Sequence, residues 1–221
     1  MANTIELLRI GSVTHNVMRL VTTRPEGFDF APGQGVELAV DEPGWADKGR
    51  PFTPTSRRED KVLEFTIKRY DDHEGVTHKL STLAPGARLT LDGPFGAITY
   101  RGRGVYVAGG AGVTPFLAQL RTLKAQGQLA GHSLLFSNRL RRDVIEEQEL
   151  TGYLGGDAVF TLTGESAPGY EHGRIDRAFL EHDVRDFDQH FYVCGPPDFT
   201  RSICDTLAEL GAQSERLVVE E

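Results

Sequence analysis

Arg50–Ser56 reads RPFTPTS, which sets an arginine, an aromatic ring and a small hydroxyl on a segment stiffened by Pro51 and Pro54. On that extended backbone Phe52 can stack on a flat heterocycle. Thr53 can hydrogen-bond a ring nitrogen, and Arg50 can neutralise a phosphate. An edge strand with an ordinary packed Phe is the alternative. Val105–Pro115 reads VYVAGGAGVTP. Its apolar run without alternation suits a strand buried on both faces of a parallel sheet. Gly109, Gly110 and Gly112 then turn the chain, and Thr114 and Pro115 suit the N-cap and first position of a helix. Backbone amides free of side chains at a helix start favour a phosphate. Pro115 stands where the dinucleotide fingerprint G-x-G-x-x-G has its last glycine, so a tight turn without a ligand is the alternative. Gly75-Val76-Thr77-His78 offers another such helix start, with Thr77 as cap; a plain capped helix fits it as well. Cys194-Gly195-Pro196-Pro197 follows an apolar strand and mirrors Gly109–Gly112, at the sheet edge where ligands of open α/β sheets bind. By itself Cys194 also fits a buried core thiol.

These stretches need elements to position them. From the N-terminus to about Tyr100 the pattern is β. Val36, Leu38 and Val40, then Leu63, Phe65 and Ile67, then Leu89 and Leu91, alternate with polar or small neighbours as half-buried strands do. Turn signals recur between them, at Pro25-Glu26-Gly27, Pro32-Gly33, Pro43-Gly44 and Pro85-Gly86. Short strands so separated predict a small antiparallel barrel, interrupted by one helical patch over Thr77–Leu83. Arg101-Gly102-Arg103-Gly104 marks a boundary. Beyond it, strands at Ser133–Phe136, Ala158–Leu162, Phe191–Cys194 and Leu217–Val219 alternate with helices at Thr114–Gln126, Asp143–Leu154, Asp176–His182 and Phe199–Leu210. The expected fold is an antiparallel β-barrel over residues 1–100 followed by a doubly wound parallel-sheet α/β domain over 101–221.

Composition narrows the function classes. The chain has 221 residues, a formal net charge of −8 and 25% charged residues, which argues against a nucleic-acid partner. No apolar run approaches the roughly 18 residues of a membrane span. Two cysteines, Cys194 and Cys204, cannot build a four-cysteine iron–sulfur cluster, and no Cys/His set has zinc spacing. No metal is expected, and a reducing cytoplasm is the simplest compartment.

In order along the chain, RPFTPTS, Gly75-Val76-Thr77, Gly93-Pro94-Phe95-Gly96, Gly109–Pro115 and Cys194-Gly195-Pro196 resemble the ferredoxin–NADP reductase family, in its flavodoxin-reductase-like branch without a fused iron–sulfur domain. The resemblance implies FAD on the barrel and NAD(P)H on the α/β domain. It implies Arg50 for the FAD pyrophosphate, Phe52 in place of the usual stacking tyrosine, and Thr53 facing flavin N5. Lys68 or Arg69 would lie near the ribityl–phosphate arm, with Gly75, Val76 and Thr77 at the pyrophosphate. Gly110, Gly112 and Thr114 would receive the NAD(P)H pyrophosphate, and Cys194, Gly195 and Pro196 would lie beside the nicotinamide. His78 stands where many members have Ser. The implied activity moves a hydride from NAD(P)H to FAD and electrons on to a separate acceptor, flavodoxin, ferredoxin or similar. An electron-transfer subunit of a larger redox complex and a non-catalytic nucleotide-binding module are the rivals. Thr53 and Cys194 are the candidate catalytic residues.

Coenzyme choice is expected in the loop Ser137-Asn138-Arg139-Leu140-Arg141-Arg142. No Asp or Glu ends that strand to take a ribose diol, and Arg139 and Arg141 can take a 2′-phosphate. A solvated basic loop is the alternative. Trp45 fits either a docking aromatic or a simple buried Trp. Glu220 and Glu221 follow the last strand with no terminal aromatic, so no lid over the flavin face is expected there.

Overall fold

The structure, a computed structural model, describes residues 2–70, 74–96 and 98–219. The first half is all β apart from one helix. Its elements are β1 (Asn3–Thr14), β2 (Val17–Thr23), β3 (Gly35–Val40), β4 (Arg50–Phe52), β5 (Val62–Lys68), α1 (Val76–Ser81) and β6 (Arg88–Phe95). They form one antiparallel sheet of order β4-β3-β6-β1-β2-β5. Just after β4 the chain crosses to the far edge, where Pro54 bridges Phe65 and Thr55 N donates to Glu64 O at 2.7 Å. That bridge joins the two edges and closes the sheet into the expected barrel. Leu38, Leu63, Phe65, Leu89 and Leu91 are fully buried inside it, on the alternation seen in the sequence.

The β1–β2 hairpin has no such clean signal. The outer part of β1 is exposed at most positions on both faces, and Leu8 is exposed on it. Trp45 is half-buried against the barrel core with Lys48 Nζ 4.6 Å from its ring centroid, so it caps the core.

The second half alternates strand and helix: β7 (Gly104–Gly109), α2 (Thr114–Ala125), β8 (Ser133–Asn138), α3 (Glu147–Leu154), β9 (Ala158–Leu162), β10 (Glu171–His172), α4 (Arg177–Asp183), β11 (His190–Cys194), α5 (Pro197–Glu209) and β12 (Leu217–Val219). Its order is β10-β9-β8-β7-β11-β12, all parallel. β7 is buried along its whole length, as a strand covered on both faces must be. The chain runs outward from β7 to β10 and returns to β11 on the other side of β7. The reversal therefore lies between β7 and β11.

Three local expectations need correction. Thr114 is the first residue of α2, not its cap: a 3₁₀ turn over Gly110–Val113 intervenes, and Thr114 Oγ1 donates to Ala111 O at 3.0 Å. Thr77 lies inside α1, whose N-cap is Gly75, and its hydroxyl accepts from Tyr70 N at 3.4 Å. The helix expected from Asp143 starts only at Glu147. Asp143 Oδ2 accepts from Leu140 N at 3.0 Å, Val144 is buried in extended backbone, and the buried Ile145 forms a turn with Glu146, whose φ is +52°. Glu220 and Glu221 lie outside the described residues.

The halves meet over a mixed contact. Val17 and Ile98 pack into the apolar cluster that fills one face of the parallel sheet. Gln119 Nε2 donates to Ile98 O at 2.5 Å and Pro32 O at 3.3 Å, while its Oε1 accepts from Tyr106 at 3.1 Å. Arg121 on α2 donates to Thr55 O and Glu64 of the barrel at 2.7 and 2.6 Å, and forks onto both oxygens of Glu149 on α3 at 2.7 and 2.8 Å. Arg19 extends the lattice to Glu64 and Glu146. Burial works against the Glu149 carboxylate, but the Arg121 guanidinium outweighs it and holds the carboxyl below its usual range.

Candidate functional site

A cleft of about 660 Å³ opens between the barrel and the carboxyl edge of the parallel sheet. The barrel wall contributes Phe52, Thr53, Thr66, Lys68 and Tyr70, with Thr77 of α1 beside them. The sheet wall contributes Gly109–Gly112, Thr114, Ser137–Arg139 and Cys194–Pro197. Of the residues singled out in the sequence, Phe52, Thr53, Lys68, Thr77, Gly110, Gly112, Thr114, Arg139, Cys194, Gly195 and Pro196 come together here, although they are far apart in the chain.

Each wall is fixed by ordinary folding physics. Phe52 pairs with Val36 across β3–β4 and rests partly on the barrel core, with Thr53 next along the chain. Pro54 then locks into its bridge with Phe65. The hydroxyl of Thr53 therefore sits between two anchored residues.

On the sheet side, two glycine turns lie against each other. A Cβ on Gly112 would stand 2.6 Å from Gly195 N and closer still to the Cys194 carbonyl, so only glycine lets the turns meet. Gly195 and Gly109 both abut the ring of Phe199, at 2.6 and 3.0 Å from a notional Cβ. Gly110 is different: its φ is +53° and nothing lies within 4 Å of its Cβ position, so it faces open space. The first amides of this 3₁₀ turn, those of Gly110 and Ala111, have no intrahelical acceptor, like those of any helix start, and suit an anion.

Several expected residues stand elsewhere. Arg50 is exposed, and its Nη1 donates to the Gly49 carbonyl at 2.8 Å. Arg69 does not line the cleft; its backbone N donates to Asn16 O at 2.8 Å. Gly75 caps α1, and the Val76 side chain is buried in the barrel core, so these two have only backbone groups to offer. Arg141 lies in a separate hollow with Arg142, Glu147 and Glu165, its guanidinium 5.6 Å from the Tyr170 ring and its backbone N on Glu165 at 2.5 Å. Arg139 lines the cleft, with Gly164 N bonded to its carbonyl at 2.8 Å. The two arginines of the loop thus part company.

Sequence patterns missed other lining groups. Tyr70 is exposed at the cleft mouth with Lys68 Nζ 5.5 Å from its ring centroid. Phe199 has no signal beyond its place in a helix. Asn138, the last residue of β8, is 5% exposed, and neither Nδ2 nor Oδ1 has a hydrogen-bond partner. In sequence it is one polar residue in a polar loop. Among the described residues no group of three His, Cys, Asp or Glu is placed to hold a metal, and no helix is long and apolar enough to cross a membrane. Neither cysteine forms a disulfide.

Comparison with known proteins adds the following. The family model for an oxidoreductase FAD-binding domain matches residues 4–100, and that for an oxidoreductase NAD-binding domain matches residues 106–205. The naphthalene 1,2-dioxygenase system ferredoxin–NAD(P)(+) reductase component of Pseudomonas putida is 24% identical over 221 residues, covering 96% of this chain and 66% of that protein. The chain spans 60% and 55% of two propane 2-monooxygenase reductase components, from Rhodococcus jostii and Mycolicibacterium smegmatis. Among solved structures, the FAD/NAD-binding domain of nitric oxide dioxygenase from Vibrio cholerae superposes with a TM-score of 0.88 at 23% identity, covering 98% of this chain and 97% of that one. A ferredoxin NADP+ reductase from Neisseria gonorrhoeae, solved with bound FAD and NADP, gives 0.86 at 18% identity, covering 99% and 98%.

Proposed function

The chain belongs to the ferredoxin–NADP reductase family, and we propose that it oxidises NAD(P)H with FAD and passes electrons to a separate acceptor protein. In this reading residues 1–100 are the FAD half and 101–221 the NAD(P)H half. The observation that carries it is the single cleft that brings Phe52 and Thr53 of the barrel to face Gly110, Cys194 and Gly195 of the sheet.

The residues fit both cofactors. A planar ring needs an apolar face and a polar contact at its edge, which Phe52 and Thr53 supply side by side. A pyrophosphate needs free amides and no side chain in the way; the open Gly110 turn supplies them. FAD, when bound, supplies the chemistry that takes two electrons from a nicotinamide and releases them to an acceptor.

The chain's own part is placement. Phe52 gives a flat apolar surface, and the Thr53 hydroxyl fixes the ring edge. The Gly112–Cys194 contact holds the two sheet turns together, so Cys194 and Gly195 sit at one depth in the cleft. Lys68 and Arg139 add positive charge along its walls. In this reading no side chain need be a strong acid or base. Of the loop arginines, we assign the coenzyme 2′-phosphate to Arg139 because it lines the cleft, whereas Arg141 lies in the separate hollow beside Tyr170. The ferredoxin named in the reductase component of the naphthalene 1,2-dioxygenase system supports a small electron carrier as the acceptor class. Two cysteines without a disulfide suit a reducing cytoplasm. The test is to reconstitute the protein with FAD and assay NADPH- and NADH-dependent reduction of ferredoxin, flavodoxin and cytochrome b5. Failure to take up FAD sinks the proposal.

A further inference from the structure

We propose that Asn138 is a sugar ligand: its carboxamide takes the vicinal hydroxyls of a nucleotide bound in the cleft. The source is either the ribose on the nicotinamide side of the coenzyme or the ribityl chain of FAD. This rests on the reading above that the cleft holds both nucleotides.

Asn138 is buried, and neither its amide nitrogen nor its amide oxygen has a partner. Buried side-chain polar atoms are nearly always hydrogen-bonded, so a doubly unpaired amide calls for a specific partner. The Asn138 carbonyl accepts from Thr163 N at 2.9 Å, which fixes the end of β8 and leaves the side chain as the free part. Turning that side chain towards the cleft breaks no hydrogen bond. Its sequence neighbours Ser137 and Arg139 line the same cleft.

Strand geometry gives the direction. Side chains two residues apart share a face, so Asn138 lies on the face of Phe136. Phe136 pairs with Ala108 and Ala108 with Cys194, so Asn138 and Cys194 share that face. Cys194 is two strands away from β8, on the order of 10 Å across the sheet. A ring placed beside Cys194 is therefore out of reach of Asn138, whereas the sugar attached to such a ring lies in between.

The partner must satisfy both atoms of the amide. A phosphate accepts only; it would take the Nδ2 protons and leave Oδ1 unpaired beside a negative oxygen. Neighbouring sugar hydroxyls each donate and accept, so one pair meets Nδ2 and Oδ1 together. Of the polar side chains that line the cleft nearby, Asp143 is engaged with Leu140 N and the Thr163 hydroxyl with the Asn138 carbonyl.

Asn138→Leu removes both polar atoms at nearly constant volume. Three quantities are read: the melting temperature of the apoprotein, the Kd for FAD from flavin fluorescence, and the Kd for NAD+ and NADP+ on FAD-loaded protein. The expected result is an apoprotein melting temperature equal to wild type or higher, with one Kd weakened about 10-fold or more, as the loss of two hydrogen bonds implies. Selective weakening for NAD+ and NADP+ assigns the coenzyme ribose; selective weakening for FAD assigns the ribityl chain. Both Kd values within twofold of wild type overturn the assignment. A lowered melting temperature with both weakened alike marks a structural residue and overturns it too. Wild-type protein that binds neither nucleotide overturns the cleft reading itself and this assignment with it.

Discussion

Gly112→Ala tests the contact that aligns the two sheet turns. The added Cβ would stand 2.6 Å from Gly195 N, and nearer to the Cys194 carbonyl. Both neighbours are backbone, so no rotamer change relieves the clash. An ordinary carbon contact of about 3.5–4 Å requires the Gly110–Val113 turn and the end of β11 to part by about 1 Å. Overpacking of this kind destabilises by about 1–3 kcal/mol. The same movement shifts Cys194 and Gly195 relative to Thr53, and misplacing reacting groups by about 1 Å can cost on the order of 100-fold in rate. Urea denaturation reads the first effect, and anaerobic stopped-flow reduction by NADPH reads the second. Both losses are expected, with FAD content retained because the FAD contacts proposed above lie on the barrel. Gly110→Ala is the control. At φ +53° with open space around it, it carries backbone strain of about 1–2 kcal/mol and no clash. Its reduction rate should change far less. Wild-type stability and wild-type rate in Gly112→Ala would refute the alignment argument.

Thr53→Ala should slow flavin reduction by up to about 100-fold while FAD stays bound, and Cys194→Ala should slow it less; equal rates in stopped flow would remove both from the mechanism. Arg139→Ala should lower the NADPH/NADH ratio of kcat/KM by about tenfold, the loss of a charge-assisted hydrogen bond. Arg141→Ala should leave that ratio alone, and steady-state kinetics with both coenzymes separates the two. The Glu149 carboxyl is held low in the fold, so its contribution to stability is fully present above its unfolded value of 4.5 and is lost as pH falls through the folded value. Urea midpoints of Glu149→Gln against wild type should converge below pH 4.5, and a constant difference from pH 7 to 3 would contradict the role given to its ion pair.

Much of the barrel was legible because its inward residues alternate strictly: Leu63, Phe65 and Ile67 are buried as the pattern requires. β1 was not, since its outer part is exposed on both faces and has no alternation to detect. In the parallel sheet, unbroken apolar runs located β7 and β11, and the strands read at Ser133–Phe136 and Ala158–Leu162 match β8 and β9. Helix starts were less reliable. Thr114 and Thr77 have the chemistry of caps, but a 3₁₀ turn and a glycine took those places. Val144, in extended backbone, and Ile145, in a turn, are buried before α3 begins, a tertiary demand that helical spacing does not show. The cleft's halves were each visible as short motifs. That Arg139 faces it and Arg141 does not depends on Tyr170 and Glu165, which are distant in sequence. Asn138 stands out only when its missing partners are known.

The most direct measurement is anaerobic mixing of the FAD-loaded protein with a slight excess of NADPH or NADH, followed by the visible absorption of the flavin. The expected result is rapid and complete bleaching with at least one coenzyme, with colour returning when an oxidised electron carrier is added. Protein that binds FAD stoichiometrically yet keeps its full visible absorption with both coenzymes would contradict the claim that the cleft brings nicotinamide and flavin together.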